Sequence, residues 1–162
     1  MLLVFTALMA MANYLLQYGI GEWTGWNQRI ALETGGRQTG LTMQYLLGVI
    51  FAPLAWLLGI ASKAIVLVGQ LLGGMAILHE FFAYTTLSQF KISGALQDPR
   101  SVIVATYALC GFANFASIGI QIGGIGALAP ERRGLLSQLG LKALLGGTVA
   151  SLLNAAMAGM LF

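Results

Sequence analysis

The chain is a succession of long apolar runs separated by short polar connections, and that pattern leaves few folds open. The runs Leu2 to Ile20, Ser101 to Ala129 and Leu135 to Phe162 are each long enough to cross a bilayer as a helix, which takes roughly 20 residues at 1.5 Å of rise each. In hydrocarbon every backbone amide must find its partner within the protein, so only helices and closed barrels span it. Ala, Leu, Met and Gly dominate these runs and no alternating ten-residue strand pattern recurs, which points to helices. The reading is an all-α, polytopic helical membrane protein, multi-pass in an inner or plasma membrane and in contact with its lipid. Only 8% of residues are charged, against about a quarter in soluble domains, which excludes an ordinary soluble fold. The net charge of +3 comes from Lys and Arg scattered through the connections. That is a membrane-flank distribution, with no basic stripe for nucleic acid. Cys110 is the only cysteine, and its apolar neighbours make it a packing residue.

Along the chain, residues 2–20 read as a first span, with Asn13 and Gln17 on one face as a helix–helix hydrogen-bonding pair. Trp23 and Trp26 follow where chain emerges through the interfacial belt. Residues 41–60 are apolar but interrupted by Pro53, and carry Tyr45, Phe51 and Trp56, as an interfacial or kinked helix would. Residues 64–87 fit either one continuous span or a re-entrant hairpin with Gly73-Gly74 as its tip and two arms too short to cross. Ser88 to Arg100 reads as a polar connection. Residues 101–129 cross again. Asn114 lies 13 residues after Ser101 and 16 before Pro130, roughly 20–24 Å from either end and so near the midplane. A charged turn, Pro130-Glu131-Arg132-Arg133, leads to a last span over about 135–162. Small residues recur every fourth position at Gly147, Ser151, Ala155 and Gly159, and again at Gly119, Gly123 and Ala127. Such stripes let helix backbones approach closely.

Three polar groups stand out against this background. Glu80 is the one acid set inside an apolar stretch, Gln70 to Leu87. A carboxylate at membrane depth costs several kcal/mol unless it is paired or faces a wet cavity, so it marks a working site. Asn114 and Ser117 sit three apart inside the next span, on one face of a helical turn. A carboxylate accepts two hydroxyl hydrogen bonds, a carboxamide offers donor and acceptor, and a hydroxyl does either, which suits a polyhydroxylated ligand. The same trio also suits a buried network tying helices together, and composition leaves both readings open.

Other motifs fail on context. Gly124-Ile-Gly126-Ala-Leu-Ala129 matches a dinucleotide fingerprint in letters only, since it follows an apolar helix rather than a strand. His79-Glu80 begins like a zinc-protease helix, but Ala83 stands where the second histidine belongs. His79 is the only histidine, and no nucleophile elbow accompanies it, so hydrolysis is not expected. The chain reads as no enzyme, with no cofactor and no metal ligands of its own.

The segment Tyr107-Ala-Leu-Cys-Gly-Phe-Ala-Asn-Phe-Ala-Ser-Ile-Gly-Ile-Gln-Ile-Gly-Gly-Ile-Gly-Ala-Leu-Ala-Pro-Glu-Arg-Arg133 closely resembles the signature of concentrative nucleoside transporters. So do Phe51-Ala-Pro-Leu-Ala-Trp-Leu-Leu-Gly59 and the run ending His79-Glu-Phe-Phe-Ala-Tyr84. The resemblance covers essentially the whole chain, but only the C-terminal part of a family member. It implies a re-entrant hairpin at 64–87 and a broken transmembrane helix at 101–129. It also implies that Glu80, Asn114 and Ser117 grip the ribose hydroxyls of a nucleoside, with Phe112 beside the substrate path. It further implies symport driven by sodium or protons, and a homotrimer once a preceding half completes the chain. Half-helix ends supply polarity without buried charge, which is what a broken helix offers a substrate.

The sequence departs from the family pattern in places. The family commonly reads Asn-Glu-Phe-Val-Ala-Tyr, whereas here His79 replaces the Asn and Phe82 the Val. Met75 stands where the hairpin commonly carries Lys, and Ala116 where Ser is frequent. His79 fits a packing role or a pH-sensitive contact. The nucleobase motif Gly-Gln-Thr-Glu, which the family carries in a preceding half with its sodium ligands, does not occur here. By this resemblance the chain opens at the sixth span of eight and holds the ribose half of the site. The alternatives are a truncated remnant that moves nothing and a membrane scaffold in which the polar trio only packs.

Overall fold

The computed structural model describes residues 2–34, 40–77, 80–111 and 114–161. Among the described residues every regular element is helical, so the all-α expectation holds. Helix α1 (Leu2–Tyr14) runs on into a π-helical segment, Leu15–Gly21, where the Glu22 N–H reaches back five residues to the Gln17 carbonyl at 2.9 Å. Asn27, on α2 (Trp26–Glu33), donates to that same carbonyl at 3.0 Å and accepts from the Leu41 N–H at 2.8 Å. Its side chain fills the space that a β-carbon on Gly21 or Gly40 would need. Asn13 donates to Gln44 at 3.0 Å and accepts from the Met43 N–H at 2.8 Å. Asn13 therefore makes the interhelical bond expected of it, while Gln17 lends its backbone carbonyl.

Helix α3 (Met43–Leu57) opens on Thr42, whose hydroxyl accepts from the Tyr45 N–H at 3.1 Å, and continues through Pro53. It lies antiparallel along α4 (Ile65–Ile77), with Gly69 against the backbone of Gly48 and Ala52 and Gly73 against Leu47. Gly73 and Gly74 are thus inside a helix rather than at a turn. The physical reason is packing on two sides: Gly73 admits α3, and a β-carbon on Gly74 would come 3.2 Å from the Phe82 ring of α5 (Glu80–Ile92). Helix α4 ends at Ile77 and α5 begins at Glu80, with residues 78–79 outside the described residues. The chain entering α4, Ala61 to Ala64, and the chain leaving α5, Gly94 to Asp98, line one cavity of about 550 Å³. Entry and exit are therefore on the same side. Each arm has 13 residues, about 20 Å, which is short of a hydrocarbon layer roughly 30 Å thick. This is the geometry of a re-entrant hairpin. Helix α5 extends through Ile92, beyond the polar boundary at Ser88, with Lys91 in its last turn where a cation suits the helix dipole.

Helix α6 (Pro99–Cys110) places Pro99 in its first turn and Asp98 at its N-cap. The Asp98 carboxylate accepts from the Ser101 N–H at 2.9 Å and from the Ser101 hydroxyl, and that hydroxyl accepts from the Ala61 N–H at 3.3 Å. Ser101 is 1% exposed, so the base of the hairpin is tied to the start of α6 through a buried group. The Ser101 hydroxyl, then its N–H, hold the Asp98 carboxyl below the ordinary carboxylate range. A folded value below the unfolded one stabilises fully above the unfolded value and is lost as pH falls through the folded value. Acidification below about pH 4 should therefore lower the protection of the Ser101 to Val104 amides relative to their intrinsic exchange rate at the same pH. In Asp98→Asn, protection of the same amides should show no acid transition.

Helix α7 (Phe115–Leu128), a 3₁₀ turn at Pro130–Arg132 and helix α8 (Arg133–Met160) complete the chain. Among the described residues α8, with the turn before it, is the one helix long and apolar enough to cross a membrane unbroken. It runs antiparallel to α6 and α7: Gly159 faces Val104, Ser151 faces Gly111, Gly140 faces Ile118, and Arg133 Nε donates to the Gly126 carbonyl at 3.0 Å. The small positions Ser151, Ala155 and Gly159 are buried, and half a turn away Leu145, Val149, Leu153 and Met157 are 56–60% exposed. One face of α8 packs and the other presents apolar surface. The α7 stripe behaves differently, since β-carbons on Gly119 and Gly123 would meet nothing within 4 Å. The core lies where the hairpin meets α6 and α8, around Val68, Leu72, Val104, Ala108 and Ala155.

Candidate functional site

The two halves of the broken helix meet at a gap. Helix α6 ends at Cys110 with Gly111 as its C-cap, and α7 resumes at Phe115. Asn114 is extended (φ −121°, ψ 165°) and caps α7, its Oδ1 accepting from both the Ser117 N–H and the Ser117 hydroxyl, each at 2.8 Å. The first amides of a helix have no intrahelical partner, and Asn is among the best side chains to supply one. The structure thus joins Asn114 and Ser117 directly. It also changes what they can offer. With both lone pairs of Oδ1 taken, the carboxamide presents its Nδ2 donors, and Ser117 presents oxygen lone pairs as acceptors.

Ser117 also opens onto an apolar groove of about 340 Å³ between α7 and α8, with Gln121, Ile122, Leu139 and Leu144 among its walls. Neither Asn114 nor Glu80 lines it. Glu80 is the first residue of α5 and is exposed. A carboxylate there sits at the positive end of the helix dipole. One turn on, Tyr84 lies near both the Glu80 carboxylate and Cys110, the last residue of α6. Tyr84 packs against the core that the hairpin shares with Ala108 and Leu109 of α6. Among the described residues no hydrogen bond or ion pair joins Glu80 to Asn114 or Ser117. Phe112 and His79 lie outside the described residues. Met75 is 2% exposed within the core, so an apolar side chain occupies the common lysine position.

Two residues near the break escaped the sequence reading in this role. Ser151 showed only as one of a stripe of small residues, yet its hydroxyl donates to the Ala108 carbonyl at 2.8 Å in a buried setting. Tyr84 closed a family motif without a stated contact. The dinucleotide-like run falls at the end of α7, where Gly126 makes room for the Arg133 side chain while a β-carbon on Gly124 would meet nothing within 4 Å, so no phosphate-binding turn is formed.

The family model described as Na+ dependent nucleoside transporter C-terminus matches residues 1–159. The chain belongs to this transporter family. The family and its structural neighbours are transporters, not enzymes. A Haemophilus influenzae protein named "Uncharacterized transporter" is 37% identical over 163 residues, covering 99% of this chain and 36% of the relative. Sodium/nucleoside cotransporter 1 of Rattus norvegicus is 44% identical over 135 residues, covering 76% of this chain and 21% of the relative. The solved structure of CNTnw in an inward-facing substrate-bound state superposes with a TM-score of 0.83 at 35% identity, covering 98% of this chain and 35% of that one. The chain thus spans about a third or less of the length of these relatives.

Proposed function

We propose that this chain supplies the ribose-binding half of the site in a cation-coupled nucleoside symporter. Glu80, Asn114 and Ser117 hold the sugar hydroxyls, and Phe112 stands beside the path. The observation that carries the reading is the Asn114–Ser117 pair at the helix break, which presents a donor and an acceptor side by side. Vicinal hydroxyls need both. Asn114 Nδ2 donates to one hydroxyl oxygen, Ser117 Oγ accepts a hydroxyl proton, and the Glu80 carboxylate accepts another. Support comes from family membership and from the name of the rat relative, a sodium/nucleoside cotransporter.

Sodium is the coupling ion in this reading, with protons as the alternative, and the ion binds residues outside these 162. The protein is multi-pass in an inner or plasma membrane, with the Leu145 to Met157 face of α8 against lipid. Hairpin and broken helix move together in alternating access, held by the Ala61–Ser101–Asp98 tie and their common core. The exposed face of α1 and its π-helical continuation, with Leu8, Met11, Leu15 and Tyr18, contributes to a homotrimer.

A chimera tests the reading. The matching third of the Haemophilus influenzae relative is replaced by this chain, and uptake of labelled uridine is driven by an imposed sodium gradient or an imposed pH gradient. Gradient-driven uptake is expected, strongest with sodium. A chimera that inserts at wild-type level and takes up no nucleoside under either gradient contradicts the proposal and favours a scaffold.

A further inference from the structure

We infer that Ser151 is a positioning residue for the helix break, its hydroxyl fixing where the chain leaves α6 and therefore where Asn114 lies. The functional consequence rests on the ribose-binding reading above. The last carbonyls of a helix have no intrahelical partner. The carbonyl of Ala108 belongs to the last turn of α6, which ends at Cys110 with Gly111 as its C-cap. Ala108 is fully buried, and a buried carbonyl left unpaired is strongly disfavoured. Ser151 supplies the bond from α8, across 43 residues, at 2.8 Å and 4% exposure.

A second contact at the same place constrains the exit. A β-carbon on Gly111, the first residue past α6, would come 3.3 Å from Ser151 Oγ. The hydroxyl is thus wedged between the carbonyl it satisfies and the residue at which the chain turns away. A cavity of about 480 Å³ opens beside them, lined by Tyr107, Cys110, Gly111, Ser151 and Asn154. Without the hydroxyl, the Ala108 carbonyl is free to swing toward that space, and the break shifts with it. The α6–α8 contact itself survives, because Ala155 and Gly159 hold it further along.

The test uses the 162-residue chain in lipid nanodiscs. Cys110 is the only cysteine, is exposed at the break rather than packed as its apolar neighbours suggested, and so reports local geometry through its alkylation rate by a maleimide. Ser151→Ala and Ser151→Val remove the hydroxyl, Ser151→Thr keeps it, and Ser137→Ala on the exposed side of α8 is the control. Loss of the hydroxyl should speed Cys110 alkylation about tenfold, with faster amide exchange over residues 109–117, while Thr and the control stay near wild type. Should the Ala variant fail to fold, the Thr and Val pair decides, since the two share a shape and differ in the hydroxyl. Equal alkylation and exchange in Thr and Val overturns the inference. Uridine is then added. It should protect Cys110 in the wild type and Thr variant, and about tenfold more should be needed without the hydroxyl. A hydroxyl effect with no uridine protection of the wild type leaves the positioning role standing and removes the ribose reading. Uniform protection of all variants, with uniform alkylation, does the reverse.

Discussion

Glu80→Gln is expected to weaken uridine binding to the purified chain by roughly 100-fold while leaving helix content and membrane insertion unchanged. The substitution keeps the shape of the side chain and removes its charge. Hydrogen bonds to a charged acceptor contribute about 1.5–3 kcal/mol against about 1 kcal/mol for neutral pairs, and two sugar hydroxyls are available to a carboxylate. Folding should change little, because Glu80 is exposed and no ion pair engages it among the described residues. Its structural role is confined to the first turn of α5, where the helix dipole favours a negative charge. Calorimetric titration of the two proteins makes the comparison. Undiminished affinity would take the carboxylate out of the sugar site.

Gly69→Ala should be the most damaging of the single-methyl changes outside the site. A β-carbon there would lie 3.1 Å from the backbone nitrogen of Ala52 and against the Gly48 carbonyl, and main chain cannot swing aside as a side-chain tip can. Helices α3 and α4 must separate, at a cost of about 1–3 kcal/mol or more. Gly123→Ala is the matched control, because a β-carbon there meets nothing within 4 Å. It should be neutral or slightly stabilising through helix propensity. Thermal unfolding in detergent, followed by circular dichroism, separates the two. Equal midpoints for Gly69→Ala and wild type would mean that α3 and α4 do not approach at that point.

What could be read from the sequence, and what could not, follows from the range of each interaction. The two faces of α8 were legible because Ser151, Ala155 and Gly159 repeat at the helical period, and periodicity is a local property. The hairpin turn was not. Glycine pairs serve a turn or a close helix crossing equally well, and only the partners Leu47 and Phe82 reveal which applies at Gly73 and Gly74. Residues 101–129 showed as apolar, with Asn114 near the middle, but apolarity sets length and not continuity. The family signature, rather than composition, suggested the break. Asn114 and Ser117 were recognisable as a pair because a cap and its third residue are neighbours in sequence. Their mutual hydrogen bonds, which turn the carboxamide into a donor alone, were not legible. Nor were the ties made by Asn27 to Leu41 and by Ser151 to Ala108, whose backbone partners carry no side-chain signature.

The most direct measurement compares uridine with 2′,3′-dideoxyuridine in equilibrium binding to the purified chain. If paired donors and acceptors at the break recognise vicinal hydroxyls, uridine binds saturably and the dideoxy compound binds about 100-fold more weakly or not at all. Equal affinity for the two, or no saturable binding of either, would contradict the account.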